Sequence, residues 1–339
     1  MITTALRQAI LAAAGQDGDP LLRPGPVPGS YASSLPFRLV RGSRPGQDPR
    51  EVASALAGRL AGEPWIAAAE VTGPGFLTVT VTHDTLAGLA VRIVRAGPAC
   101  VHSDALRGRT VPAGPGRLAP APDWPQTRAA LAAQLTARLA AAAGATVFPD
   151  AERSCVPAPA PLPAAGPGPG PVAAAVVYAG ADAVRFTLAR MPPAGPAGSP
   201  VGGTAPEAAV IARHVLANPA YAVRYAHAAA AAVLRWAAAL GTRPAGFTPR
   251  LLAEPGELAL LDALSWLPER VAMAARRGRP DEFAGYLEEL AARTIETMST
   301  TSFTTVSSIS SERLWLADAA RTGLAAGLGL LGIGAPGRL

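Results

Sequence analysis

Residues 218–227 read Asn218-Pro219-Ala220-Tyr221-Ala222-Val223-Arg224-Tyr225-Ala226-His227. Asn218 is the only asparagine among 339 residues, in a chain that has no lysine. Two of its five tyrosines and one of its four histidines fall in the same stretch. Asparagine is a good helix N-cap because its side-chain oxygen accepts a hydrogen bond from a first-turn amide, and proline suits that turn because it has no N–H to leave unpaired. Gly241 is a natural stop, so the pattern predicts one helix over 219–240. Tyr221 and Tyr225 are four apart and share a face, with Arg224 close to it. Such a stripe packs into a core more often than it binds a ligand, since aromatics at helical spacing bury a large apolar area. On spacing alone both uses stay open.

At this length the chain can hold two or more domains, each with its own core. Half the residues are apolar, much of that alanine, and all 30 basic residues are arginine, a bias of the kind a G+C-rich genome produces. The 35 prolines are therefore weak evidence of disorder. A net charge of +6 suits a polyanionic partner without requiring one. Residues 1–217 hold 18 Arg against 13 acids and residues 218–339 hold 12 against 11, so any attraction to a polyanion is stronger in the first part. Cys100 and Cys155 are the only cysteines, too few for a disulfide framework or a four-ligand zinc site, and are read as reduced thiols. His83, His102, His214 and His227 are scattered without carboxylate or Cys at ligand spacing, so no metal is expected. No Gly-x-Ser-x-Gly elbow accompanies the serines at 307–311. The alternation of Gly with Pro over 166–170 removes the N–H groups that a phosphate cradle needs, and no cofactor is expected. The N-terminus carries no signal-peptide pattern and the apolar tract 323–335 is too short and Gly-rich to span a bilayer, so a soluble cytoplasmic protein is expected.

The 218–227 stretch closely resembles the NPxYYVQYAH segment that opens the helical anticodon-binding domain of arginyl-tRNA synthetases. Other segments support the resemblance. Tyr31-Ala32-Ser33-Ser34 and Val71-Thr72-Gly73-Pro74-Gly75-Phe76-Leu77 resemble the DYATN and VAGPGFIN segments of that family's N-terminal additional domain. Residues 176–186, with Ala181-Asp182-Ala183-Val184-Arg185-Phe186, resemble its EVGVDAVRYFLL segment, and Glu312-Arg313-Leu314 with Leu330-Leu331-Gly332-Ile333-Gly334-Ala335-Pro336 resembles its RLALxxA…GLxLLGIxAPxRM ending. Leu339 stands where the family has methionine, while Arg338 keeps the basic residue.

Three units are expected. Residues 1–104 form a small α+β domain with helices over 4–14 and 48–61 and strands over 66–71 and 76–81; Gly73 and Gly75 make a tight turn and Phe76 fills the core. Residues 105–171 are a truncated Rossmann-like remnant and a linker. The remnant is a strand at 109–111, a helix over 123–143 capped by Asp123 and stopped by Gly144, and a strand at 146–148, while Cys155 to Pro171 is the linker. Residues 172–339 form an all-α helical bundle, with helices over 206–216, 219–240, 256–267, 268–276, 282–298 capped by Asp281, and 312–331.

The resemblance implies specific departures. Aligned on Arg128, the family's HVGHLR signature is replaced by Asp123-Trp124-Pro125-Gln126-Thr127-Arg128, so both imidazoles are gone and proline occupies the position where backbone must approach the nucleotide. Without lysine there is no KMSK equivalent. The chain is therefore identified as a catalytically degenerate paralogue, not an enzyme but a tRNA-binding protein with tRNA-Arg favoured. The family's contacts place Tyr221, Arg224, Tyr225, His227 and Arg338 on the anticodon side and Tyr31 and Arg38 on the elbow side. Ala229 replaces a family arginine, and the family's FNxFY aromatics are absent from Arg293-Thr294-Ile295-Glu296-Thr297-Met298. A protein-interaction or regulatory module that kept the fold without RNA binding is the alternative reading, with a protein partner in place of tRNA; residual ligase activity is the third.

Overall fold

The computed structural model describes residues 1–42, 46–113, 124–148, 170–192, 207–305 and 309–339. The chain opens with α1 (Ile2–Ala14), β1 (Leu22–Pro24), β2 (Ser30–Ser33), α2 (Leu35–Arg41), α3 (Pro49–Leu60), β3 (Ile66–Thr72), β4 (Phe76–Val81), α4 (His83–Ala87), α5 (Leu89–Ala96) and a 3-10 turn over Gly97–Val101. The strands form one antiparallel sheet in the order β1-β2-β4-β3. Ile2, Leu6 and Ile10 of α1 and Val52, Leu56 and Leu60 of α3 recur at helical spacing and are buried. Leu77, Val79 and Val81 alternate along β4 onto the same core. Asp48 caps α3 by accepting from the Arg50 amide at 2.9 Å. Gly75 has φ 132°, and a Cβ there would come within 2.7 Å of Pro49, so the hairpin can lie against the start of α3 only with glycine. Phe76 departs from expectation: the pleat turns it off the core face, and it is half-buried, edge-on to Phe37 at 4.9 Å.

A single parallel β-α-β unit follows, made of β5 (Thr110–Pro112), α6 (Trp124–Ala142) and β6 (Thr146–Phe148), with Val111 opposite Val147. The apolar face Leu131, Leu135 and Leu139 buries α6 completely along one side. Asp123, expected to cap it, and Cys155 with the tract to 169 lie outside the described residues. Pro171, expected to end the linker, instead begins a helix.

The remaining helices are α7 (Pro171–Ala179), α8 (Ala181–Arg190), α9 (Ala208–Ile211), α10 (Pro219–Ala239), α11 (Pro255–Ser265), α12 (Leu267–Arg277), α13 (Pro280–Met298), α14 (Thr301–Thr304) and α15 (Ser311–Leu331), with a 3-10 turn at Pro249–Leu251. α10, α13 and α15 pack on one another as the centre of the bundle, and α6 docks against α12 and α8. Gly327 lets α15 approach α13, since a Cβ there would come within 2.5 Å of Leu287 Cδ2. Arg138 of α6 donates from Nε to the Leu330 carbonyl at 2.9 Å and from Nη2 to that of Gly329 at 2.8 Å, placing a cation on the C-terminal dipole of α15.

Two expectations for the bundle are corrected. The helix over 206–216 is only α9, because Asn218 Nδ2 donates to the carbonyls of Ile211 at 2.9 Å and Arg213 at 2.7 Å and so captures acceptors that a continuing helix would use. Asp281 does not cap α13. Helix α13 already begins at Pro280, and the Asp281 carboxylate is held by Arg279 Nε at 2.8 Å and Nη2 at 2.6 Å.

The α+β domain rests directly on α11 and α12. Thr3 Oγ1 donates to the Ser265 carbonyl at 3.0 Å, the Gly29 amide to Asp262 Oδ1 at 2.9 Å, and Arg7 Nη2 to Glu269 Oε2 at 2.6 Å. Asp19 receives both Arg7 and Arg276. Polar residues of both units are thus buried at this contact and hydrogen-bonded across it.

Candidate nucleic-acid interface

The start of α10 is fixed by Asn218. Its Oδ1 accepts from the Ala220 amide at 3.2 Å, while its Nδ2 holds the strap of residues 212–217 through the two carbonyls named above. One side chain therefore caps the helix and shapes the chain entering it. Asn218→Ala is expected to destabilise the protein by about 1–2 kcal/mol through the lost cap. Asn218→Asp, which keeps the cap acceptor but sets a carboxylate against the two carbonyls, should recover only part of it; urea denaturation of the pair measures both. Equal stability of Asn218→Ala and the parent chain would contradict this account.

Beyond the cap, Tyr221 and Tyr225 stack on each other with ring centroids 5.8 Å apart. His214, on the strap, stacks on Tyr221 at 5.4 Å with an interplanar angle of 13°. The three rings form a ladder in the order His214, Tyr221, Tyr225 on the outside of the bundle. Tyr225 is 37% exposed, Tyr221 is half-buried and His214 is exposed. Arg224 Nη2 lies 3.9 Å from Asp182 Oδ2, a partly exposed pair of small energetic weight. Asp182 also accepts from the Gly334 amide at 3.2 Å, which brings the end of the chain to this face. The tail is held further by His227 Nδ1, 2.8 Å from the Pro336 carbonyl, and by Arg235 donating to the Gly337 carbonyl. Arg338, next along, is exposed.

Tyr221, Arg224 and Tyr225 are thus gathered at the start of α10, while Arg338 follows the tail segment held at His227 and Arg235 further along the helix. His227 is not part of that surface: it is 4% exposed and fastens the tail. Desolvation lowers its pKa from 6.5; the Pro336 carbonyl opposes that shift and Arg321 adds to it. Burial favours the neutral ring, so its contribution to stability is present above the unfolded value near 6.5 and is lost as pH falls through the folded value. Acidification from about pH 7.5 to pH 5.5 should therefore lower the stability of the fold, read by urea denaturation, and His227→Gln should flatten that dependence. A stability difference between the parent and His227→Gln that does not change with pH would refute it.

Tyr31, expected near a polar loop facing the elbow of RNA, sits in the middle of the sheet on β2, fully buried. Its hydroxyl bonds Ser265 Oγ at 2.8 Å and its ring lies 5.3 Å from Trp266, so it joins the domains and cannot meet a nucleic acid. Burial raises its pKa well above the ordinary tyrosine range. Arg38 is half-buried in the last turn of α2. Trp124 is half-buried and Pro125 and Gln126 are exposed in the first turn of α6. Cys100 is a buried free thiol, pushed up to about 12 by desolvation. No helix among the described residues is long and apolar enough to cross a membrane.

Sequence reasoning missed His214 and the bridging part of Asp182. His214 lies seven residues before Tyr221, across a helix break, where no periodicity connects them.

Residues 1–81 match the family model described as the arginyl tRNA synthetase N terminal domain, and residues 223–339 that of the DALR anticodon binding domain. Among curated relatives, an arginine–tRNA ligase of Clavibacter sepedonicus is 40% identical over 136 residues, covering 39% of this chain and 24% of its own. One of Kineococcus radiotolerans is 44% identical over 128 residues, covering 36% and 23%. The matched stretch thus spans about a quarter of each relative's length. The arginyl-tRNA synthetase of Thermus thermophilus matches in structure with a TM-score of 0.60 at 16% identity, covering 100% of both chains, a likeness of fold. The chain thus carries an arginyl tRNA synthetase N-terminal domain and a DALR anticodon binding domain, on an α+β fold with a helical bundle. The expectation that it is not an enzyme is overturned by these matches, because the relatives are ligases.

Proposed function

We propose that this chain, built from two arginyl-tRNA synthetase domains, binds tRNA, with tRNA-Arg the favoured species, through the ladder and arginines along α10. The observation that carries the proposal is the pair Tyr221 and Tyr225, stacked on the outside of α10 beside Arg224, where the match to the DALR anticodon binding domain begins. Unpaired bases stack on such rings while arginines attract the backbone, a combination suited to a splayed anticodon loop. Tail docking by His227 positions Arg338. On this reading residues 1–104, 105–171 and 172–339 are the three domains, packed on one another, and Arg38 is the remaining elbow-side contact. Binding is the step shared by ligation and by any other use of the domain, so it is tested alone.

The test is equilibrium binding of labelled tRNA-Arg and of a second tRNA across a salt series. Saturable binding should weaken linearly in log–log form, with a slope of roughly −0.7 per phosphate contact on single-stranded RNA. Preference for tRNA-Arg should persist as salt rises, because stacking is less screened than charge. No saturable binding at low salt would overturn the proposal, and equal affinity for both tRNAs would remove the tRNA-Arg preference.

A further inference from the structure

We propose that His214 forms a nucleotide subsite of its own, with an unpaired base stacking on the outer face of its imidazole and the neighbouring Arg213 guanidinium taking the adjoining phosphate. This rests on the tRNA-binding reading and extends it from the helix to the strap.

Ladder order carries the inference. Tyr221 lies between His214 and Tyr225, so the ring faces left at the ends of the stack belong to His214 and Tyr225. His214 is the more parallel partner, 13° against 27° for the tyrosine pair, and its separation of 5.4 Å lies within the range of offset stacking. It is also pre-set. The Asn218 side chain holds the carbonyls of Ile211 and Arg213, and the Asn218 amide donates to that of Val215 at 2.8 Å, so backbone bonds flank His214 on both sides. A ring held in place before binding loses little freedom when a base joins it.

The surroundings suit a nucleotide. Arg213 and His214 are exposed, and among the described residues neither has a side-chain hydrogen bond or an ion pair. Val215 and Leu216 are 48% and 53% exposed, giving the strap an apolar rim against which a sugar and base can rest. Alternating cation, aromatic and aliphatic groups on an exposed loop are the elements of a sequence-tolerant single-strand surface. Imidazole adds what the tyrosine rings lack at that end, a ring nitrogen able to bond a base edge or phosphate in the plane of the stack.

The experiment measures tRNA affinity by fluorescence anisotropy across a salt series starting at low salt for the parent chain, His214→Ala, His214→Phe and Arg213→Ala, with melting temperatures alongside. His214→Ala should weaken binding about five- to 100-fold at unchanged melting temperature, the range of one lost base–aromatic stack. His214→Phe should restore most of that loss, and Arg213→Ala should flatten the salt slope. Parent-like affinity in His214→Ala, while the parent itself binds, would overturn the subsite and leave the α10 reading standing. A phenylalanine variant as weak as the alanine one would overturn the stacking role. A parent chain without saturable binding would overturn both.

Discussion

Replacing Arg7 by methionine is expected to remove about 3–5 kcal/mol of stability, the usual result of stranding one partner of a buried ion pair. Arg7 and Glu269 are each 4% exposed, and their contact at 2.6 Å joins the first helix of the chain to α12, 262 residues away. Without the guanidinium, the Glu269 carboxylate would remain in a site from which water is excluded. Arg276 carries a charge that acts on Glu269, but it is engaged with Asp19, which itself loses Arg7. The double variant Arg7→Met/Glu269→Leu should regain most of the loss, because two apolar groups in place of a buried pair cost little. Urea denaturation of parent, single and double variants decides the matter. A single variant within about 0.5 kcal/mol of the parent would mean that the interface admits water at this pair and that the ion pair does not couple the two units.

That contact also shows where sequence reading stops. α6 was legible because Pro125, Gly144 and the leucines at 131, 135 and 139 are local signals that agree with one another. β1 and β2 were not, being three and four residues long with no alternation, and β2 exists because β4 and β1 lie on either side of it. Tyr31 among small polar residues reads as a loop. It is buried because Ser265 and Trp266 arrive from the far end of the chain to meet its hydroxyl and its ring. The site divides in the same way. Tyr221, Arg224 and Tyr225 follow from helical spacing once Asn218 is taken as the cap, whereas His214 reaches them only because the same Asn218 ends α9 and folds the strap back. His227 shares the stretch with the tyrosines yet turns inward, since two residues along a helix from Tyr225 is a different face.

The sharpest test of that site is Tyr221→Ala. As the middle ring, Tyr221 supports His214 on one side and Tyr225 on the other, so its loss should separate the ladder and weaken tRNA binding by about 1–3 kcal/mol. Stability should fall by less than the roughly 3–5 kcal/mol of a fully buried aromatic, because Tyr221 is half-buried and no hydrogen bond to its hydroxyl is present among the described residues. Tyr221→Phe, which keeps the stack, should bind nearly as the parent does. The two measured quantities separate a binding surface from a packed one: if Tyr221→Ala lowers the melting temperature sharply while its folded fraction binds tRNA as tightly as the parent, the stripe belongs to the core and recognition lies elsewhere on the bundle. If affinity falls and the melting temperature holds, the ladder is the surface on which the unpaired bases rest, and the cost of removing its middle ring measures what holding the two end rings in place contributes to binding.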